Sequence, residues 1–196
     1  MIQLLALLAA VSSSPLSPLL DKLSDTGYMT GSFSQTDFWA LTLEEESSSG
    51  IMHLALPDLF RLSYSDPEGS ETGFDGTVLY TVEPDLRQVI IYPSREPESF
   101  LHLLSQCDDS TICRTLESGE DSLLFELEGD FGQGIRLMEV GFTLSDSLPF
   151  LFSTTDYNGN TTTYRLRDLV TSADCPDGVF SFSAPDGYEI IDPEGM

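Results

Sequence analysis

The chain has 196 residues, 40% of them hydrophobic, at a mean hydropathy of −0.04, which suits one folded core and is too apolar for a disordered tail. Eight Lys and Arg against 33 Asp and Glu leave a net charge of −25. Binding to nucleic acid by counterion release, and attraction to an anionic membrane surface, both need clustered cations, so nucleic-acid binding and peripheral membrane binding are excluded as main functions.

The apolar run Ile2 to Val11 is shorter than the ~18 residues of a spanning helix, so no membrane insertion is expected. Followed at once by Ala9-Ala10-Val11-Ser12-Ser13-Ser14 and Pro15, it reads as the h-region and cleavage site of a signal peptide over residues 1–14, although no Lys or Arg precedes it. Residues 15–196 then form a single domain, since no linker and no repeat interrupts them. Ser17 as N-cap, Pro18 at the first helical position and the stripe Leu19, Leu20, Leu23 predict a short amphipathic helix ending near Gly27.

The period then changes to two. Strands are expected around Phe33 to Gln35, Met52 to Leu56, Phe60 to Tyr64, Val78 to Val82 and Leu86 to Tyr92. Turn chemistry separates them at Glu44 to Gly50, Pro57-Asp58, Asp66 to Gly69, Asp75-Gly76 and Glu83 to Asp85. Pro97 to Leu104 reads as a second short helix. Strands resume over Leu123 to Glu128, Ile135 to Leu144, Phe150 to Thr155, Thr161 to Leu169 and Val179 to Phe182, with an Asn-Gly hairpin turn in Asp156 to Asn160. Short connections impose antiparallel pairing. The expected fold is mainly β within the α+β class: an antiparallel meander of roughly ten strands, which must curl, with two or three short helices.

Catalytic motifs are absent. His53 and His102 stand alone, no GxSxG, P-loop or GxGxxG occurs, and adjacent acids carry little information in so acidic a chain. A hydrolase built on an acidic pair is the weakest reading. No cofactor is implied. Cys107, Cys113 and Cys175 form no zinc pattern, and an odd count forbids complete intramolecular pairing, although Cys107 and Cys113 lie close enough to close a loop. The conspicuous resource is apolar and aromatic, with twelve Phe, seven Tyr and one Trp, and in a small barrel such side chains either fill the interior or line a pocket for one ligand.

The order of several segments resembles a known family. They are Phe33-Ser34-Gln35, the run Leu56-Pro57-Asp58-Leu59-Phe60-Arg61-Leu62-Ser63-Tyr64 with Asp66-Pro67, Asp75-Gly76 before Leu79-Tyr80, Pro84 with Gln88-Val89, Asp156 to Asn160 with Thr162 and Tyr164, and the ending Phe180 to Asp192. Together they are similar to the periplasmic outer-membrane lipoprotein carriers of the LolA family. The resemblance implies an unclosed antiparallel β-barrel whose helices form a lid over its concave face. It implies a monomeric, non-enzymatic periplasmic chaperone that takes lipoproteins by their acyl chains from an inner-membrane ABC transporter and passes them to an outer-membrane receptor. A related regulatory module that senses lipids or lipoproteins is the alternative. Carried over by motif, the concave face comprises Phe33, Leu54, Leu56, Phe60, Leu62 and Tyr64, and alternation adds Val89, Ile91, Phe142, Phe152 and Leu166. Family members place an Arg before the Pro of the Pro-x-x-Phe segment to tie down the lid; here Leu56 stands there, and Arg61 matches a second Arg assigned to the lid or a partner.

Overall fold

The computed structural model describes residues 16–55, 58–92, 112–132 and 134–193. The first element is helix α1 (Ser17–Ser24), with Leu16 rather than Ser17 at the N-cap position and no side-chain cap. Pro18 sits in its first turn, where a missing N–H costs nothing. Gly27, at φ 66, turns the chain out of the helix.

Twelve strands follow: β1 (Tyr28–Trp39), β2 (Glu44–Ala55), β3 (Leu59–Asp66), β4 (Glu68–Phe74), β5 (Leu79–Glu83), β6 (Gln88–Tyr92), β7 (Ile112–Ser118), β8 (Ser122–Glu128), β9 (Ile135–Thr143), β10 (Pro149–Asp156), β11 (Thr161–Ser172) and β12 (Glu189–Ile191). They make one unclosed sheet in the order β12-β6-β5-β4-β3-β2-β1-β11-β10-β9-β8-β7. All neighbours are antiparallel except β12 and β6, which run parallel. The expected open, mainly β barrel is therefore the observed architecture, with twelve strands where roughly ten were expected. The second expected helix, Pro97 to Leu104, lies outside the described residues.

Cross-strand pairing sorts the side chains onto two faces, because opposite partners in a ladder point the same way. The chain of partners Leu166, Phe33, Gly50, Tyr64 marks one face. Leu54, Phe60, Phe74, Leu79 and Tyr92 continue it toward β6, and Tyr164, Phe152, Val140, Phe125 continue it toward β7. This inner face carries the main core, with Leu16 and Leu23 of α1 and Phe131 of the β8–β9 connection packed into it.

The outer face is apolar in two smaller patches, both covered by the segment after β11. Phe180 packs on Tyr28 and Ala55, and Phe182 on Tyr80, Val82 and Val89, with the Tyr80 and Phe182 rings stacked at 3.8 Å. Val179 to Phe182, expected as a strand, is thus a packing segment; the chain pairs with the sheet only at β12.

Candidate functional site

Among the described residues, the inner face is the largest apolar surface that several elements build together. Phe33, Leu54, Phe60, Phe142, Phe152 and Leu166 are buried in its core, and Leu62 and Tyr64 pack against it half-buried. Phe33 meets the Tyr64 ring edge-on at 5.2 Å and the Tyr164 ring at 6.2 Å. Helix α1 and its N-cap lay Leu16, Leu19, Leu20 and Leu23 on this surface, and Lys22 Nζ donates a 3.2 Å hydrogen bond to Ser147 Oγ in the β9–β10 turn. Met52, Phe125, Leu127, Met138 and Val140 are equally buried on this face and were not among the expected positions. Met52 alternates with Leu54, and Met138 and Val140 with Phe142, so the same period reaches them; for Phe125 and Leu127 the missing information was which face turned inward.

Two expected positions lie on the opposite side. Val89 pairs with Val82 and Ile91 with Tyr80, which places both on the outer face under Phe182 and Tyr188. Their neighbours Ile90 and Tyr92, paired with Thr81 and Leu79, hold the inner positions. The stretch Gln88-Val89-Ile90-Ile91-Tyr92 is apolar on both faces, so its pattern leaves the register undetermined by one residue.

Arg61 is also placed differently from the lid role expected of it. Paired with His53 and Gly73, it stands on the outer face, where Nη2 donates to Glu71 Oε2 at 2.7 Å and Nη1 to the Val179 carbonyl at 3.1 Å. Tyr80 donates to the other Glu71 oxygen at 2.7 Å. Burial is the largest influence on Arg61 and opposes its charge, but the bond to Glu71 together with the charges of Glu71 and Tyr80 outweighs it and raises the pKa. Burial, followed by the bond to Glu71, keeps Tyr80 protonated far into the alkaline range. Nearby, Tyr28 and His53 Nδ1 share a 2.7 Å hydrogen bond, and burial, then Arg61, lowers the His53 pKa against the opposing pull of Glu71. Among the described residues, Arg61 fastens the C-terminal segment. Leu56, the other position tied to lid closure, lies outside the described residues.

The inner face becomes polar toward the far end of β1. Tyr64 donates to Gln35 Oε1 at 2.8 Å, Gln35 Nε2 donates to Asp37 Oδ2 at 2.6 Å, and Thr162 donates to Asp37 Oδ1 at 2.6 Å. Burial, then the Asp37 charge, pushes the Tyr64 hydroxyl up to about 12. Its folded value lies above its unfolded one, so its contribution to stability is whole below pH 10 and fades as pH rises toward 12. That loss is expected to be about 2 kcal/mol. Melting of the native chain should therefore fall more steeply than that of Tyr64→Phe between these pH values; parallel curves would mean that water reaches Tyr64.

Among the described residues no group of three or more His, Cys, Asp and Glu could hold a metal ion. Cys113 and Cys175 are free thiols; Cys107 lies outside the described residues. A groove of about 510 Å³ lies between the Asp75 turn and residues 175–182. It is lined by Asp75, Cys175, Pro176 and Asp177 beside Val179 and Phe180, a mixed surface less suited to a hydrocarbon ligand than the inner face.

A family model described as outer membrane lipoprotein carrier protein LolA matches residues 24–183. An outer-membrane lipoprotein carrier protein of Francisella tularensis subsp. novicida is 27% identical over 179 residues, covering 90% of this chain and 87% of its own. Its counterpart in Pasteurella multocida is 27% identical over 192 residues, covering 96% and 92%. Among solved structures, an uncharacterized conserved protein from Thermus thermophilus superposes with a TM-score of 0.61 at 12% identity, over 91% of this chain and 99% of its own. That likeness is one of fold.

Proposed function

From the premise that the chain belongs to the LolA family of outer membrane lipoprotein carrier proteins, we propose that its inner face receives the acyl chains of lipoproteins. In this reading it works in the periplasm, taking cargo from an inner-membrane ABC transporter and passing it to an outer-membrane acceptor. The carrying observation is the leucine stripe of α1 seated on an aromatic and aliphatic inner face. Acyl chains offer that face the same chemistry as Leu16, Leu19, Leu20 and Leu23, so cargo exchanges for the helix at little net cost. A helix of eight residues does not hold together apart from what it packs on, which makes it an element able to lift away. Residues 1–14 would be the export signal removed on the way.

The test uses protein purified without its first 14 residues and a fluorescent fatty acid. Probe uptake and displacement by a triacylated lipopeptide, but not by the same peptide without acyl chains, are expected. No uptake, or equal displacement by both peptides, overturns acyl binding. Sequencing the N-terminus of the protein from cells tests the location; a cytoplasmic protein that keeps Met1 overturns it.

A further inference from the structure

The β1–β2 turn projects an apolar tip that the inner-face reading does not use. Leu41 is 95% exposed and Leu43 76%, while Trp39 at the root of the turn is 40% exposed. Tyr157, 65% exposed, stands in the adjoining β10–β11 turn. The two turns are joined: Asn160 Oδ1 accepts a 3.1 Å hydrogen bond from the Ala40 N–H, and a Cβ built on Gly159 would lie 3.3 Å from Ala40 Cβ. Asn160 is in turn held by Asp156, to which its side chain and backbone N–H donate at 2.8 and 2.9 Å.

The tip is built rather than left loose. The Leu43 N–H closes the turn onto the Trp39 carbonyl at 2.8 Å, and Leu43 itself adopts φ 59. That left-handed conformation suits Gly or Asn and strains a leucine. Here the strain accompanies two side chains that bury almost nothing within the fold, and contiguous exposed apolar groups of this kind mark contact surfaces.

We propose that this tip inserts shallowly into a zwitterionic lipid surface. Its polarity changes in the order that a bilayer's does. Two leucines occupy the turn, and an amphipathic Trp and Tyr stand at its root, the residue types that settle at headgroup depth. Carboxylates begin at that level, where Glu44 pairs with Trp39, and continue behind it, where Glu45 pairs with Phe38 and Glu46 with Asp37. At about 3.3 Å per residue Glu45 and Glu46 fall a few ångströms behind the aromatic level, the depth of choline or ethanolamine ammonium groups. The same acids, on a chain of −25, oppose an anionic surface and a second copy of this chain alike. The tip lies at the end of β1 away from α1, so this contact stands apart from acyl uptake and is tested apart from it.

Trp39 is the chain's only tryptophan and reports on the tip directly. Phosphatidylcholine vesicles added to the full mature chain should shift its emission to shorter wavelength and carry the protein into the pellet. Vesicles enriched in phosphatidylglycerol should do so more weakly. Leu41→Ser with Leu43→Asn should reduce vesicle binding about tenfold per leucine, without lowering thermal stability and without changing uptake of the fluorescent fatty acid. Asn at position 43 suits the backbone there, so loss of binding is not loss of fold. Absence of any shift or sedimentation with phosphatidylcholine overturns the proposal, as does equal binding by the double variant. Stronger binding to the anionic vesicles also overturns it. So does a concentration-dependent shift without vesicles that the double variant abolishes, which would assign the tip to a second copy.

Discussion

Glu71→Ala is expected to cost about 2–3 kcal/mol of stability, because one carboxylate serves both Arg61 and Tyr80. Removing it strands the hydroxyl of Tyr80, a residue 1% exposed, and a guanidinium whose buried Nε already has no acceptor among the described residues. A fully buried pair broken in this way costs more, but the Arg61 and Glu71 side chains are 33% and 15% exposed, and water recovers part of the loss. In melting temperature the change amounts to roughly 5–10 °C for a chain of this size. Arg61 also holds the Val179 carbonyl, so the segment covering the outer face should become sensitive to protease near Val179 to Phe182. Binding of an acyl probe should persist, since the network lies on the opposite side of the sheet. Glu126→Ala removes a more exposed pair, with Arg114 at 3.2 Å and side chains 57% and 21% exposed, and should cost below about 1 kcal/mol. Equal small losses for the two variants, with unchanged proteolysis, would show that the outer-face network does not hold the C-terminal segment.

The open antiparallel barrel was legible because its turns and periods are local. Pro18 and the leucine stripe mark α1, and the turn over Asp156 to Asn160 forms as expected, with Gly159 at φ 87 and the Asp156 carboxylate bonded to the N–H groups of Asn158 and Asn160. Desolvation acts to raise the Asp156 pKa, yet bonds from Asn160 and Asn158 bring it below the ordinary value, so the carboxylate stays ready to cap the turn. What escaped reading depends on partners distant in sequence. Glu68–Phe74 has the composition of a turn and becomes β4 because β3 and β5 flank it. Glu44 to Gly50 looks like a loop but extends β2, because β1 supplies a full-length partner. Val179 to Phe182 alternates like a strand, yet its phenylalanines satisfy two outer-face patches without a ladder. Arg61 lies in a family-like motif whose residues identify the segment but not which way its side chains point.

The face assignment at β6 makes the sharpest test of the candidate site, because one step along the strand exchanges two isoleucines between opposite environments. Ile90 pairs with Thr81 on the inner face, whereas Ile91 pairs with Tyr80 and packs under the C-terminal segment. Ile90→Asp places a carboxylate on the surface proposed for acyl chains. Apolar contact with an ionised group costs about 3 kcal/mol at hydrocarbon depth, so affinity for an acyl probe should fall about a hundredfold. Ile90 is half-buried and, among the described residues, belongs to none of the packed clusters, so melting should move less than it does for Ile91→Asp. Ile91→Asp should do the reverse, lowering the melting temperature through the Tyr80, Val82 and Val89 patch while probe affinity stays near native. Loss of affinity at position 91 with none at 90 would reverse the faces of β6 and restore Val89 and Ile91 as candidates. Equal affinity in both variants would confine acyl binding to the other part of the sheet, from β3 through β2, β1, β11, β10 and β9 to β8, where Phe60, Phe33, Leu166, Phe152 and Phe142 already form one buried surface with α1.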